Sequence, residues 1–99
     1  MATFAGSVND VKSQWFAAKG FPSNTLNDQM SRYLAANGGG ISNDLNTQWY
    51  NFLSAKGRTG SFSEMYNAEL IASVAGAHSG MSLTDLERMF YSTSTNTFA

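Results

Sequence analysis

The chain has 99 residues, enough for one domain with its own core, and 42% of them are apolar. Only 13% are charged and the net charge is −1, which separates it from disordered chains, where low hydrophobicity goes with high net charge. The six Lys and Arg do not cluster, which argues against binding to nucleic acid or anionic lipid, and the absence of cysteine excludes a disulfide framework and a thiolate metal site.

The first predicted element is a helix over residues 8–19, opened by a capping motif. Ser7 precedes Asp10 by three residues. This is the spacing of a capping box, in which the hydroxyl accepts a bond from the third helical N–H and the acid accepts one from the N–H of the cap. An aromatic pair, Trp15 and Phe16, follows five and six residues after the acid.

The same helix start recurs further along the chain. A Ser or Thr stands three residues before an acid at Thr25 with Asp28, Ser61 with Glu64, and Ser82 with Asp85. Apolar residues at helical spacing follow each of these pairs, and glycines stand where the first two of these patterns stop, at Gly38 and Gly76. The pattern therefore predicts helices over 26–36, 62–75 and 83–92.

The helix predicted over 43–56 departs from the pattern at its start. Ile41 occupies the position three residues before Asp44, where a hydroxyl is expected. Either Ser42 or Asn43 is therefore predicted to cap this helix.

The aromatic pair keeps its spacing in this third helix, where Trp49 and Tyr50 follow the acid by five and six residues. Trp49 is therefore expected to occupy a place equivalent to that of Trp15. Both indoles are expected to be buried, because they lie on the apolar faces of their helices.

Together these elements predict an all-α fold, a small bundle of about five short helices in a single domain. Short loops favour antiparallel packing of consecutive helices, which gives a hairpin over 8–36, a similar hairpin over 43–75 and a C-terminal helix over 83–92. The polar tail 93–99 is expected to be extended or mobile unless a partner holds it.

The ionisable residues favour a structural role over a catalytic one. Five of the seven acids are expected in first helical turns, where capping and the helix dipole account for them, so only Glu69 and Glu87 remain. His78, the single histidine, is predicted to lie exposed in a loop. No enzyme activity, cofactor or metal site is expected, and the chain shows neither a signal peptide nor an apolar run long enough to span a bilayer.

The repeated segments resemble a known family of proteins. The stretch Ala55-Lys56-Gly57-Arg58-Thr59-Gly60-Ser61-Phe62-Ser63-Glu64-Met65-Tyr66 is similar to the tandem helical segments of small structural proteins of tailed bacteriophages. The likeness covers roughly residues 7–91 and departs at Phe21-Pro22-Ser23-Asn24-Thr25, where Thr-Gly-Ser is expected, and at Arg58, where an aromatic is expected.

The resemblance implies a minor virion protein, either a head decoration protein or a tail or adaptor component. Its partners would be other virion proteins in many copies, without direct contact to nucleic acid, membrane or a small-molecule substrate, and it would reside in the virion after assembly in the host bacterial cytoplasm. The alternative is a soluble helical adaptor that binds a host or regulatory protein through a groove between hairpins. A small enzyme or a nucleic-acid binder is a more distant third.

Residues without an obvious place in the helical core are the candidates for partner binding. Aromatic residues beside the main helical faces or near the termini can form an interface, and Arg58 is the one loop cation that the helix dipole does not account for. The candidate set is Phe4, Phe16, Tyr50, Arg58, Tyr91 and Phe98. The other interpretation of Phe4 and Phe98 is that both fold back over the ends of the hairpins.

Overall fold

The computed structural model describes residues 3–99 and confirms the all-α fold. It contains five α-helices, α1 Val8–Ala18, α2 Leu26–Ala36, α3 Leu45–Ala55, α4 Phe62–Ser73 and α5 Leu83–Tyr91. Within this part of the chain there is no strand, and the one isolated bridge joins Thr3 to Thr93.

Capping starts the helices as the sequence predicts. Ser61 Oγ accepts a bond from the Glu64 N–H at 3.2 Å, and Glu64 Oε1 accepts one from the Ser61 N–H at 3.1 Å. A complete box also joins Ser7 and Asp10. Thr25 and Ser82 accept the third helical N–H in the same way, at 3.2 Å in each case, but the return bond from the cap N–H to Asp28 or Asp85 is not formed, so the reciprocal box predicted for α2 and α5 is only half present.

The prediction for the cap of α3 is wrong. Asp44 itself is the N-cap, with its Oδ1 accepting the Asn46 N–H at 3.0 Å, while Ser42 Oγ accepts the Asp44 N–H at 3.0 Å. An aspartate can act either as cap or as third helical residue, and here it acts as the cap because no hydroxyl stands three residues earlier.

This shift of register also changes the place of Trp49. It is the fifth residue of α3, whereas Trp15 is the eighth residue of α1, so the expected equivalence is wrong. Phe52 is the residue of α3 that corresponds to Trp15. Burial of both indoles is confirmed, since Trp15 is 0% exposed and Trp49 is 4% exposed.

Counted from its first residue, each helix buries the same positions. The fourth residue of every helix is buried. The ninth residue is 0% exposed in all five helices, namely Phe16, Leu34, Leu53, Leu70 and Tyr91. The repeating unit is therefore the single helix with its cap.

The five helices form a closed ring. Each packs on the helices before and after it in the chain, and α5 packs on α1 to complete the circuit. Each predicted hairpin segment does contain a packed pair, α1 with α2 and α3 with α4, but α2 packs on α3 in the same way. The molecule measures 33 × 29 × 19 Å.

Neighbouring helices run in the same direction, which differs from the expected antiparallel packing. Between α1 and α2, the sixth residue Ser13 bonds the fourth residue Gln29, and the eighth residue Trp15 packs on the eighth residue Tyr33. Contacts that advance together along both helices require parallel directions. Other contacts also join residues at the same position in their helices. Tyr33 and Phe52 are both eighth residues, and the contacts of Trp49 with Tyr66, Tyr66 with Glu87, and Lys12 with Glu87 all join fifth residues.

Loop length explains the difference. The loops 19–25, 37–44, 56–61 and 74–82 have six to nine residues. An 11-residue helix is about 16 Å long, and six extended residues reach about 20 Å, so each loop is long enough to return along its helix.

The tail is ordered against the ring rather than extended. Asn96 Nδ2 donates to the Met89 and Phe90 carbonyls at 3.0 and 2.9 Å, and the Trp15 indole N–H donates to the Asn96 carbonyl at 3.0 Å. Phe98 then inserts among the rings of four helices, with centroids 4.5–6.3 Å away, namely Trp15, Tyr33, Trp49, Phe52, Phe90 and Tyr91. The tail therefore fills the centre of the ring from the C-terminal ends of the helices.

Candidate functional site

A pocket opens where the first halves of the helices meet. Its volume is about 300 Å³, and it is lined by the fifth residue of every helix, Lys12, Met30, Trp49, Tyr66 and Glu87. The first residues of three helices, Leu45, Phe62 and Leu83, form its rim together with Asn46. We call this the axial pocket, and we call the surface formed by the first turns of the helices the N-terminal face.

The polar part of the axial pocket is an internally satisfied network. Lys12 Nζ and the Tyr66 hydroxyl both donate to Glu87 Oε2, at 2.8 and 2.7 Å. Because the Tyr66 proton points at this carboxylate, the Tyr91 hydroxyl, 3.0 Å away, donates to the Tyr66 oxygen. The Lys12 and Glu87 side chains are 13% and 10% exposed, so solvent screens their ion pair only weakly.

The two tyrosines of this network remain neutral at ordinary pH. Burial raises the pKa of Tyr66 well above its usual value, and Tyr91 and Glu87 beside it raise it further. Burial likewise raises the pKa of Tyr91 far above its ordinary range. These phenols therefore keep their protons and act as hydrogen-bond donors in the network.

Carboxylates stand at the N-terminal ends of all five helices. One acid stands at the cap or third position of each helix, Asp10, Asp28, Asp44, Glu64 and Asp85. The Ser23 hydroxyl lowers the pKa of Asp28, and the bonds from Ser61 lower the pKa of Glu64. These two groups therefore stay ionised well below neutral pH.

The other acid left unassigned by the sequence, Glu69, lies on the opposite side of the ring from the pocket opening. Its side chain is fully buried, Oε1 accepts from Arg58 Nε at 2.9 Å, and Oε2 lies 3.9 Å from Lys56 Nζ. Arg58, predicted as a partner contact, thus has a partner within its own chain. The sequence did not identify Glu87 and Glu69 as members of ion pairs. Lys12, the partner of Glu87, is distant in sequence, and Arg58, the partner of Glu69, belongs to a loop.

Four of the six predicted contact residues lie in or against the core. Phe16 and Tyr91 are 0% exposed. Phe98 is half-buried in the ring, and Phe4 is half-buried against the core with its N–H donating to the Ser92 carbonyl at 2.8 Å. The expectation that these four lack a place in the core is wrong, because sequence spacing did not reveal the closed ring or the folded tail.

Tyr50 is the predicted contact residue that remains available, at 51% exposure. The structure adds two exposed apolar residues that the sequence analysis missed, Ile41 at 96% and Leu83 at 41%. A signal for the second was present, because an apolar residue directly follows every cap: Val8, Leu26, Leu45, Phe62 and Leu83.

The described residues contain few groups suited to catalysis. His78 is exposed in a loop as predicted, and residues 3–99 contain no cluster of three or more His, Cys, Asp or Glu side chains that could hold a metal ion. Over the same residues, no helix combines the length and apolar character needed to cross a bilayer. The absence of enzyme activity stays a prediction.

Comparison with known proteins does not assign the chain to a family. No family model matches it, and no curated protein or solved structure is significantly similar to it. The fold and the axial pocket define a closed ring of five parallel helices with an apolar opening at one end and a tail filling the other.

Proposed function

We propose that the protein is a minor structural component of a tailed bacteriophage particle, where it is held in many copies by contacts with other virion proteins. The observation that carries the proposal is the tandem motif itself, whose turn and cap at residues 55–66 resemble those of small phage structural proteins. A Ser or Thr cap with an acid three residues later starts four of the five helices, and all five helices bury the same positions counted from their first residue.

The use of the acidic side chains supports a role in contacts rather than catalysis. Five acids cap helices or lie in first turns, and the two others are buried in ion pairs. The described surface also offers a partner apolar and aromatic groups, namely the axial pocket with Leu83 and the exposed side chains of Tyr50 and Ile41. Aromatic side chains are enriched at protein contact surfaces.

Mass spectrometry of purified phage particles tests the proposal. The proposal requires the chain in every particle at a fixed stoichiometry to the major capsid or tail proteins. Particles should also lose stability or fail to assemble when its gene is deleted. Particles that are complete and infectious without the chain would contradict the proposal.

A soluble helical adaptor is the second candidate, and the axial pocket is the observation that favours it. A volume of about 300 Å³ is at the lower limit of ligand pockets, which suits a single side chain of a bound protein. This function predicts a stable complex with one host or regulatory protein in infected cells and absence from finished particles.

A further inference from the structure

Apart from Asn46, the rim of the axial pocket is apolar, whereas helix starts are usually polar. Leu45, Phe62 and Leu83 are the first residues of their helices, and Leu83 is 41% exposed. Phe62 stacks on Tyr66 inside the pocket, with ring centroids 5.8 Å apart. An apolar group that enters between these side chains removes their surface from water, which is favourable by about 25 cal/mol per Å².

The polar groups of the pocket already bond one another and do not favour a charged ligand. Glu87 already accepts bonds from Lys12 and Tyr66, and the charges of Lys12 and Glu87 cancel. A cation placed this deep would meet Lys12, and an anion would meet Glu87. The chemistry of the interior therefore selects an uncharged apolar side chain.

The surroundings of the opening carry the opposite preference, for cations. Five carboxylates lie at the caps or in the first turns. Arg32 offsets one of them through its 3.0 Å pair with Asp28, and Arg88 is the other exposed cation on these helices. Lys19, Lys56 and Arg58 lie beyond the C-terminal ends of their helices, so the side chains of the N-terminal face carry a net negative formal charge, which the partial positive charge of about half a unit at each helix N-terminus offsets only in part.

We propose that the axial pocket receives one large apolar side chain from a segment of a partner protein in which Lys or Arg stands beside that side chain. The apolar anchor fills the space between Trp49, Phe62 and Leu83, and the flanking cations face the carboxylates of the N-terminal face. This rests on the proposed function in one respect, that the partner is another protein of the same assembly. The recognition itself depends only on the pocket.

Proton–nitrogen NMR of the full chain with short peptides tests this docking. The probe is an acetylated and amidated peptide Lys-Gly-Phe-Gly-Lys, compared with Glu-Gly-Phe-Gly-Glu and Lys-Gly-Ala-Gly-Lys. The Trp49 indole N–H reports on the pocket, and the Trp15 indole N–H, bonded to Asn96 on the far side of the ring, is the internal reference. We expect the first peptide to move the Trp49 signal and to bind at least about fivefold more tightly than the other two.

Two matched variants distinguish binding in the axial pocket from binding to any exposed apolar side chain. Leu83→Ser removes an apolar side chain from the rim and should weaken binding about fivefold, whereas Ile41→Ser removes one that does not line the pocket and should leave binding unchanged. Asp85→Asn should weaken binding of the lysine peptide more at low salt than at high salt.

Several outcomes would overturn the assignment. Equal binding of the alanine peptide would show attraction by charge alone, and equal binding of the glutamate peptide would remove the role of the carboxylates. A Trp49 signal that moves with protein concentration, without peptide, would mean that a second copy of the chain occupies the pocket. None of these results bears on whether the chain is present in phage particles, which mass spectrometry decides separately.

Discussion

Glu69 and Glu87 are the two acids that lie outside the helix starts, and the ring buries both. A buried carboxylate is costly unless a cation and hydrogen bonds compensate it. Glu87 pairs with Lys12, 75 residues away in sequence, and Glu69 pairs with Arg58, 11 residues away in sequence. Sequence reasoning could identify these acids as unexplained, but their partners depend on ring closure and on the path of a loop, which no local spacing encodes.

The pair of Arg58 and Glu69 predicts a measurable loss of stability. Arg58→Ala leaves the carboxylate buried with only the weaker contact to Lys56 at 3.9 Å, and it should lower the free energy of unfolding by about 1–3 kcal/mol. Arg32→Ala is the control, because its pair with Asp28 is exposed and should contribute little. Urea unfolding of both variants gives the comparison, and equal small losses would mean that the buried pair adds nothing.

The cap of α4 gives a second prediction for a single residue. Ser61→Ala removes the hydroxyl that accepts the Glu64 N–H and should lower the free energy of unfolding by about 1 kcal/mol. Ser63→Ala, an exposed change inside the same helix, should be neutral or slightly stabilising because alanine favours helix. Thermal unfolding of both variants measures the difference, and an unchanged melting temperature for Ser61→Ala would contradict this role.

At the level of elements, the helix starts were largely predictable and their mutual arrangement was not. A hydroxyl three residues before an acid is a local signal, and it located the starts of α1, α2, α4 and α5. For α3 the same aspartate could serve as cap or as third residue, so a missing hydroxyl shifted the register by three positions. Loops of six to nine residues permit both parallel and antiparallel packing, so helix direction depends on contacts between distant residues.

One such contact recurs between consecutive helices. Ser13 Oγ donates to Gln29 Oε1 at 2.7 Å and the Gln29 amide donates back to the Ser13 carbonyl at 3.0 Å. Ser31 and Gln48 repeat this exchange between α2 and α3, at 2.8 and 3.2 Å. In both cases the sixth residue of one helix meets the fourth residue of the next, so the pair fixes parallel register.

A double-mutant cycle tests this fixed register. Ser31→Ala should cost about 1–3 kcal/mol, because it leaves Gln48 Oε1 buried without a donor. In combination with Gln48→Met the two losses should be non-additive by at least about 0.5 kcal/mol. Ser13→Ala combined with Gln48→Met is the control, since these residues do not bond, and its losses should add. Additive losses for both pairs would show that the exchange does not couple the helices.

For the whole molecule, the ring and the tail depend on each other. A closed ring of five helices surrounds a centre that the helices alone do not fill, and Phe98 occupies it from the C-terminal side. Lys19 Nζ donates to the Ser94 carbonyl and the Ala99 N–H donates to Ser73 Oγ, so the tail also bonds α4 and the loop after α1. The tail was predicted as extended or mobile because its residues are polar, and a single Phe does not form a periodic pattern.

The last prediction concerns this tail. Phe98→Ala removes a half-buried ring that packs on six aromatic side chains, and it should lower the free energy of unfolding by about 2–4 kcal/mol. For a chain of this size that corresponds to a fall in melting temperature of about 10 °C or more. Thr97→Ala, an exposed change at the neighbouring position, is the matched control and should leave the melting temperature within about 2 °C of the parent. If Phe98→Ala has the same melting temperature as the parent protein, the tail does not stabilise the ring, and Phe98 is available for contact with a partner. If it melts far below, the tail is part of the core, and a partner that needs Phe98 would first have to open the ring.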